Sequence, residues 1–181
     1  VVAGELEPRA EAVERRQDLQ PLLRRLGDDL VGRRRHVCVG AGLRPPDASA
    51  QLVELGEAKA VGAMDESLKS TVEYLKTRKQ FGVAIGTFQT LQHRAADMFV
   101  AVEQARSMSM FATMASDFDD ARERATAVAA AKVQIGKSLK FVGQQAIQLH
   151  GGIGMTMEAK IGHYFKRLTM IENTFGDTDY H

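Results

Sequence analysis

The chain has 181 residues, enough to bury a core and too many for a miniprotein that depends on disulfides. Hydrophobic residues make up 44% and charged residues 26%, and Lys+Arg 24 against Asp+Glu 23 leaves no bulk charge to attract a nucleic acid. The single Cys38 excludes an internal disulfide, and no apolar run approaches the roughly 18–20 residues of a membrane helix, so a cytoplasmic protein with no membrane partner is expected. The chain begins at Val1 without a methionine or the apolar stretch of a signal peptide, and reads as part of something longer.

The even charge balance hides a division. Residues 1–50 hold nine arginines and no lysine, while all nine lysines lie from Lys59 onward. Pro21, Pro45 and Pro46 interrupt this early stretch; Val13, Leu19, Leu22, Leu23 and Leu26 allow a short helix over residues 11–26, followed by loop. Three readings of residues 1–56 stay open: a basic arm for an acidic partner, a disordered tail, or translated sequence that does not belong to the fold. The third is favoured, because lysine-free, arginine-, alanine- and glycine-rich text followed abruptly by patterned helix is what a shifted reading frame in GC-rich DNA produces. Residues 1–56 are therefore read as an irregular segment and 57–181 as the folded domain.

From Glu57 the apolar residues recur at steps of three and four, which places them on one face of a helix. A first segment carries Val61, Met64, Leu68, Val72 and Leu75 and ends near Gly82. A second carries Phe88, Leu91, Ala95, Met98, Val102 and Ala105 and continues through Phe111 and Met114, a helix of roughly 30 residues and about 45 Å. Asp117, Asp119 and Asp120 break it and offer side-chain acceptors to the free N–H groups of a third helix. That helix runs through Val128, Ala131, Ile135, Leu139, Val142, Ala146 and Leu149 and ends at Gly151 and Gly152. Thr156 can cap a fourth helix, with Glu158 in its first turn, Ile161, Phe165, Leu168 and Ile171 inward, and Gly176 closing it. With no strand pattern between them, these segments predict an all-α fold, an antiparallel four-helix bundle. Met98, Met108, Met110 and Met114 are read as core or subunit contact.

No Glu-x-x-His pair suits a di-iron bundle, and His93, His150, His163 and His181 are scattered without metal-ligand spacing, so no metal is expected. Two stretches carry more information. QLHGGIGMT (148–156) is not a GxGxxG fingerprint, since its glycine spacing differs and a helix precedes it. It is a helix end followed by bare backbone, read either as a two-glycine cap or as a turn that can approach a phosphate or ribose closely. YLKTRKQFGVAIGTFQTLQ (74–92) places Arg78 and Lys79 beside an aromatic and two glycines, which alone is a basic turn between helices.

Taken together and in this order, RKQFGVAIGTFQTLQHRAADM, some fifty residues of helix and QLHGGIGMT closely resemble the C-terminal helical domain of the acyl-CoA dehydrogenases, over residues 57–181. That family uses FAD to oxidise an acyl-CoA thioester between its α and β carbons, and its full chains place a helical and a β domain before this bundle. The resemblance implies that Arg78 reaches the pyrophosphate of an FAD held largely by a neighbouring subunit, that Gln89 also contacts the flavin cofactor, and that Phe81 packs near it. It further implies that Gln148, Leu149, His150, Gly151 and Gly152 hold the ADP half across the dimer interface. In many members the catalytic base is the glutamate of a Tyr-Glu-Gly-Thr sequence after the fourth helix. Here, aligning Phe175 to the tyrosine puts Gly176 at that place, while an ungapped alignment puts Asn173 there with Glu172 one residue early. In other members the base lies on the first helix, at a site near Leu52 here, with Glu54 two residues off. The catalytic residue therefore stays unassigned. The implied whole is an FAD-linked dehydrogenase, a homo- or hetero-oligomer expected to be a tetramer, with an acyl-CoA substrate. The departure implies either that the base belongs to sequence missing here or that this is the kind of subunit that lacks the glutamate, and alone the chain should be inactive. The rival reading is a non-catalytic helical oligomerisation module.

Overall fold

The computed structural model describes residues 48–181, with side chains from Gly56 onward; the readings placed on residues 1–47, the helix over 11–26 among them, lie outside the described residues. Helix α1 (Ala48–Thr77) leads into a hairpin of two short strands, β1 (Lys79–Gln80) and β2 (Val83–Ala84), and a 3-10 turn (Ile85–Thr87). Helix α2 (Gln89–Ala115) and helix α3 (Ala121–His150) follow, then a second 3-10 turn (Gly151–Met155) and helix α4 (Lys160–Asn173).

The helices run antiparallel in sequence order, as their cross-helix bonds show. Arg106 on α2 donates from Nη2 to both carboxylate oxygens of Asp65 on α1, at 2.8 and 2.7 Å. Arg94 reaches Gln145 and Gln104 accepts from Gln134, so positions rise along α2 as they fall along α3. Helix α3 packs against all three others and forms the centre of the bundle. Met64, Leu68, Met98, Val102, Ile135, Val142, Ile161 and Leu168 are fully buried. Small residues bring the helices close: a Cβ on Gly143 would lie 2.9 Å from the Phe165 ring, so glycine there lets α4 pack against α3. The four-helix bundle read from the apolar spacing is the fold observed.

Five local expectations change. Residues 48–56, assigned to the irregular segment, are helical in α1; Ala48, Ala50, Gln51, Leu52, Glu54 and Leu55 are adequate helix formers that Gly56 interrupts without breaking. The stretch expected to be free of strands holds the hairpin, closed by Phe81 and Gly82 at φ 55° and 80°, positive at both central positions as in a type I′ turn. Phe111 and Met114, assigned to the inward face of α2, are exposed; the helical phase set by Met98, Val102 and Ala105 brings Ala112 and Ala115 inward instead. Thr156 does not cap α4: its hydroxyl closes the preceding 3-10 turn on the Ile153 carbonyl (2.7 Å), and α4 starts at Lys160 after Ala159, beyond Glu158. At its other end α4 stops at Asn173, three residues before Gly176. Asp120, by contrast, caps α3 as expected, its carboxylate accepting the Arg122 N–H at 2.8 Å.

Candidate functional site

The C-terminal ends of α1 and α3 and the N-terminal end of α2 meet at one end of the bundle. Tyr74, in the last turn of α1, stacks on His150, the last residue of α3, with ring centroids 4.5 Å apart and planes 21° from parallel. This pair brings together the two stretches singled out in the sequence.

The hairpin extends α1. The Arg78 N–H donates to the Tyr74 carbonyl at 2.9 Å, continuing the helical ladder by one bond, and the Arg78 carbonyl accepts from Ile85 at 2.8 Å. Gly86 packs on the end of α1 so closely that a Cβ would lie 2.8 Å from the Leu75 carbonyl oxygen, and the Gln92 side chain donates to the Gly86 carbonyl. The base of the hairpin is therefore fixed while its tip projects. Arg78 is exposed, and among the described residues no acceptor pairs with its guanidinium. Phe81 is 90% exposed at a positive φ, a conformation that costs a bulky residue energy, and its only aromatic neighbour among the described residues is Phe88, edge-on at 6.2 Å. Gln89, the first residue of α2, is exposed beside it.

Gln148 is exposed at the end of α3, whereas the side chains of Leu149 and His150 are buried. The His150 Nδ1 lies 2.8 Å from the Ala146 carbonyl, and burial holds its pKa below the ordinary histidine value despite that bond. Gly151 turns the chain at φ 61°, a left-handed region that glycine enters without strain, and nothing lies within 4 Å of where its Cβ or that of Gly152 would be. This end thus offers an unpaired guanidinium, a projecting aromatic, two exposed amides and bare backbone, donor groups suited to a phosphate-bearing, planar ligand. Of the eight residues assigned to the cofactor, six present their side chain or bare backbone to solvent; Leu149 and His150 can offer only main chain.

The other cluster was not foreseen. Lys132, buried inside α3, donates from Nζ to the carbonyls of Ile171, Glu172 and Thr174, at 3.2, 3.2 and 3.0 Å, satisfying the C-terminal end of α4. Burial lowers its pKa, opposed by the charges of Glu57, Glu172 and Asp177. Glu172 is buried, pairs with Lys140 at 2.8 Å and accepts from both the main-chain N–H and the hydroxyl of Thr178. Burial pushes the Glu172 carboxyl up, but the bonds from Lys140 and Thr178 outweigh it and hold the pKa below the ordinary value. Thr178 sits against Gly136 of α3, leaving no room for a side chain there. Both charges lie on the apolar seams of their helices, Lys132 four residues after Val128 and Glu172 four after Leu168; that placement was the available signal. Among the described residues no three His, Cys, Asp or Glu side chains gather as a metal site, and no helix is long and apolar enough to cross a membrane.

Residues 57–181 match the family profile of the acyl-CoA dehydrogenase C-terminal domain. The acyl-CoA dehydrogenase IpdE2 of Mycobacterium tuberculosis is 40% identical over 110 residues, 61% of this chain and 32% of that protein. Its Mycolicibacterium smegmatis counterpart is 41% identical over 112 residues, 61% of this chain and 33% of that one. The chain thus spans about a third of the length of these curated relatives. Among solved structures, a variant of the Tcur3481-Tcur3483 steroid ACAD superposes with a TM-score of 0.68 at 30% identity, over 72% of this chain and 36% of that one. PigA with FAD and proline gives 0.68 at 30%, over 74% and 34%. With the profile covering residues 57–181 and the fold and motifs in agreement, the chain belongs to the acyl-CoA dehydrogenase family, as a C-terminal helical domain.

Proposed function

We propose that this chain is the C-terminal part of an FAD-dependent acyl-CoA dehydrogenase and that the hairpin end of the bundle holds part of the cofactor. The observation that carries this reading is the exposed Arg78 guanidinium, unpaired among the described residues, on a rigidly based hairpin, joined through Tyr74 and His150 to the bare backbone of Gly151 and Gly152. A guanidinium fork matches two phosphate oxygens, and glycine backbone free of Cβ cover lets the rest of a diphosphate come close, although the Gly151 N–H itself is donated to the Gln148 carbonyl. Arg78 would bind the pyrophosphate, Gln89 and Phe81 would flank it, and Gln148 with residues 149–152 would hold the ADP half. When bound, FAD accepts the hydride equivalent released in forming the α,β double bond of the acyl-CoA thioester.

The flavin in this reading belongs to an oligomer, homo- or heteromeric, in which the domain reaches a neighbour's cofactor. Exposed Val100, Met110, Phe111, Met114 and Phe141 on α2 and α3 support such a subunit contact. Removal of the substrate α proton needs a free carboxylate, and Glu172 does not serve, because its carboxylate is buried and committed to Lys140 and Thr178. The base comes from elsewhere in the assembly, in keeping with a subunit that supplies cofactor contacts. Residues 1–56 are proposed to lie largely outside the domain, apart from the helical start of α1. Flavin titration of the full-length protein tests the reading: Arg78→Ala should raise the FAD dissociation constant about 10- to 100-fold with the apoprotein melting temperature unchanged. A wild-type protein that takes up no FAD, or an Arg78→Ala protein that binds it equally well, overturns the reading in favour of a non-catalytic oligomerisation module.

A further inference from the structure

The two halves of the proposed cofactor site lie on different helices, and one aromatic pair joins them. The His150 ring is held on three sides. Tyr74 stacks on one face at 4.5 Å, Nδ1 is tied to the Ala146 carbonyl at 2.8 Å, and the turn after α3 folds back over its stem. Gly154 comes so near that a Cβ there would lie 3.0 Å from the His150 Cβ and 2.9 Å from the Ile147 carbonyl oxygen. On the far side of the stack, Tyr74 sits one turn before Arg78, whose N–H bonds its carbonyl. Each motif has its own local anchor, the hairpin through Gly86 on Leu75 and the glycine turn through Gly154 on His150, and the stack ties one to the other at their bases, at the end of the α1–α3 packing. Helix ends are the parts of a helix most prone to fraying, so a directional contact between the last turns of α1 and α3 controls their spacing more than contacts deeper in the bundle.

We propose that Tyr74 and His150 are positioning residues: their stack sets the distance and angle between the Arg78 hairpin and the Gly151–Gly152 turn, so that one dinucleotide meets both. The inference rests on the reading of this end as an FAD site. His150 acts on the cofactor through the backbone that follows it, not through its ring, which is buried and already bonded. A planar ring at position 150 is required; a branched aliphatic side chain of similar bulk fills the space without fixing the angle.

The test uses the full-length protein, titrated with FAD and followed by flavin fluorescence, with apoprotein melting measured in parallel. His150→Leu should weaken FAD binding about five- to tenfold, while His150→Phe, which keeps a ring against Tyr74, should restore binding to within about twofold of wild type. Equal affinities for the Leu and Phe variants, whether both normal or both weakened, overturn the proposal, because a role in packing alone would not distinguish them. If His150→Leu does not fold, Tyr74→Leu against Tyr74→Phe reads the same contrast from the other ring, with the same two outcomes. Arg78→Ala in the same assay separates the two levels: if it leaves FAD binding intact, the site reading fails; if it weakens binding while His150→Leu does not, the positioning role alone falls.

Discussion

The hairpin end of the bundle and the cluster around the C-terminal end of α4 treat their polar groups in opposite ways. Around α4, three terminal carbonyls share one buried ammonium, and a buried carboxylate accepts from a lysine, a hydroxyl and a main-chain N–H. At the hairpin, Arg78 pairs with nothing described in the chain, Phe81 stands in solvent at a positive φ, and Gly151 and Gly152 leave backbone uncovered. Bonding capacity satisfied within the chain stabilises the chain; capacity left open at a rigid site is available to something else. The contrast separates residues that hold this domain together from residues that its proposed function needs. Substitutions in one region should change stability with little effect on flavin, and substitutions in the other should do the reverse.

The largest stability effect belongs to Lys132. Lys132→Met keeps most of the aliphatic stem but removes the ammonium from the carbonyls of Ile171, Glu172 and Thr174, of which Ile171 retains the Thr174 N–H, and leaves the charge of buried Glu172 less compensated. Loss of a buried charged donor should cost about 2–4 kcal/mol, read as a lower urea midpoint of the full-length protein. The FAD dissociation constant of the folded fraction should stay near wild type. A variant of normal stability with impaired flavin binding would erase the distinction between the regions.

The apolar rhythm made the bundle legible before any coordinates, because Val61, Met64, Leu68 and their counterparts on α3 repeat with the helical period over many turns. The hairpin was not legible: two strands of two residues are too short to show alternation, and Phe-Gly is not the Asn-Gly or Asp-Gly that usually marks a type I′ turn. The individual site residues were visible through their resemblance to a family, whereas their meeting at one end depends on Tyr74 and His150, an aromatic pair 76 positions apart that no local pattern reports. Thr156 misled for another reason. A threonine before an amphipathic run is a sound cap signal, but the glycines of the 148–156 turn allowed a 3-10 turn whose Ile153 carbonyl accepts its hydroxyl instead.

A smaller effect follows from Glu172. Its folded pKa is depressed, so its contribution to stability is fully present above the unfolded value of about 4.3 and is lost as pH falls through the depressed folded value. Urea midpoints measured from pH 7 down to pH 3 should fall more steeply for wild type than for Glu172→Gln, which lacks the titrating group, and the two curves should converge at the acid end. Parallel curves would mean that Lys140 and Thr178 do not stabilise the charged form. Among the hairpin residues no such acid dependence is expected, since none of them buries a carboxylate.

The smallest stability change should have the opposite sign and occurs at the hairpin tip. Phe81 occupies the first central position of a turn that favours asparagine followed by glycine, and it sits at φ 55° with 90% of its surface exposed. Holding a bulky residue in the left-handed region costs about 1 kcal/mol, and the edge contact with Phe88 returns only part of that. Phe81→Asn relieves the strain without adding the unfolded-state entropy of a glycine, so the apoprotein should gain about 0.5 kcal/mol, visible as a small rise in melting temperature. If the ring flanks the flavin cofactor, the same substitution should weaken FAD binding several-fold. A protein made more stable and less able to bind its cofactor by one substitution would show that the phenylalanine is kept at a cost to the fold. If Phe81→Asn gained stability and lost no affinity, the exposed ring would have no part in the cofactor site, and the contrast between the two regions would rest on Arg78 and the glycine turn alone.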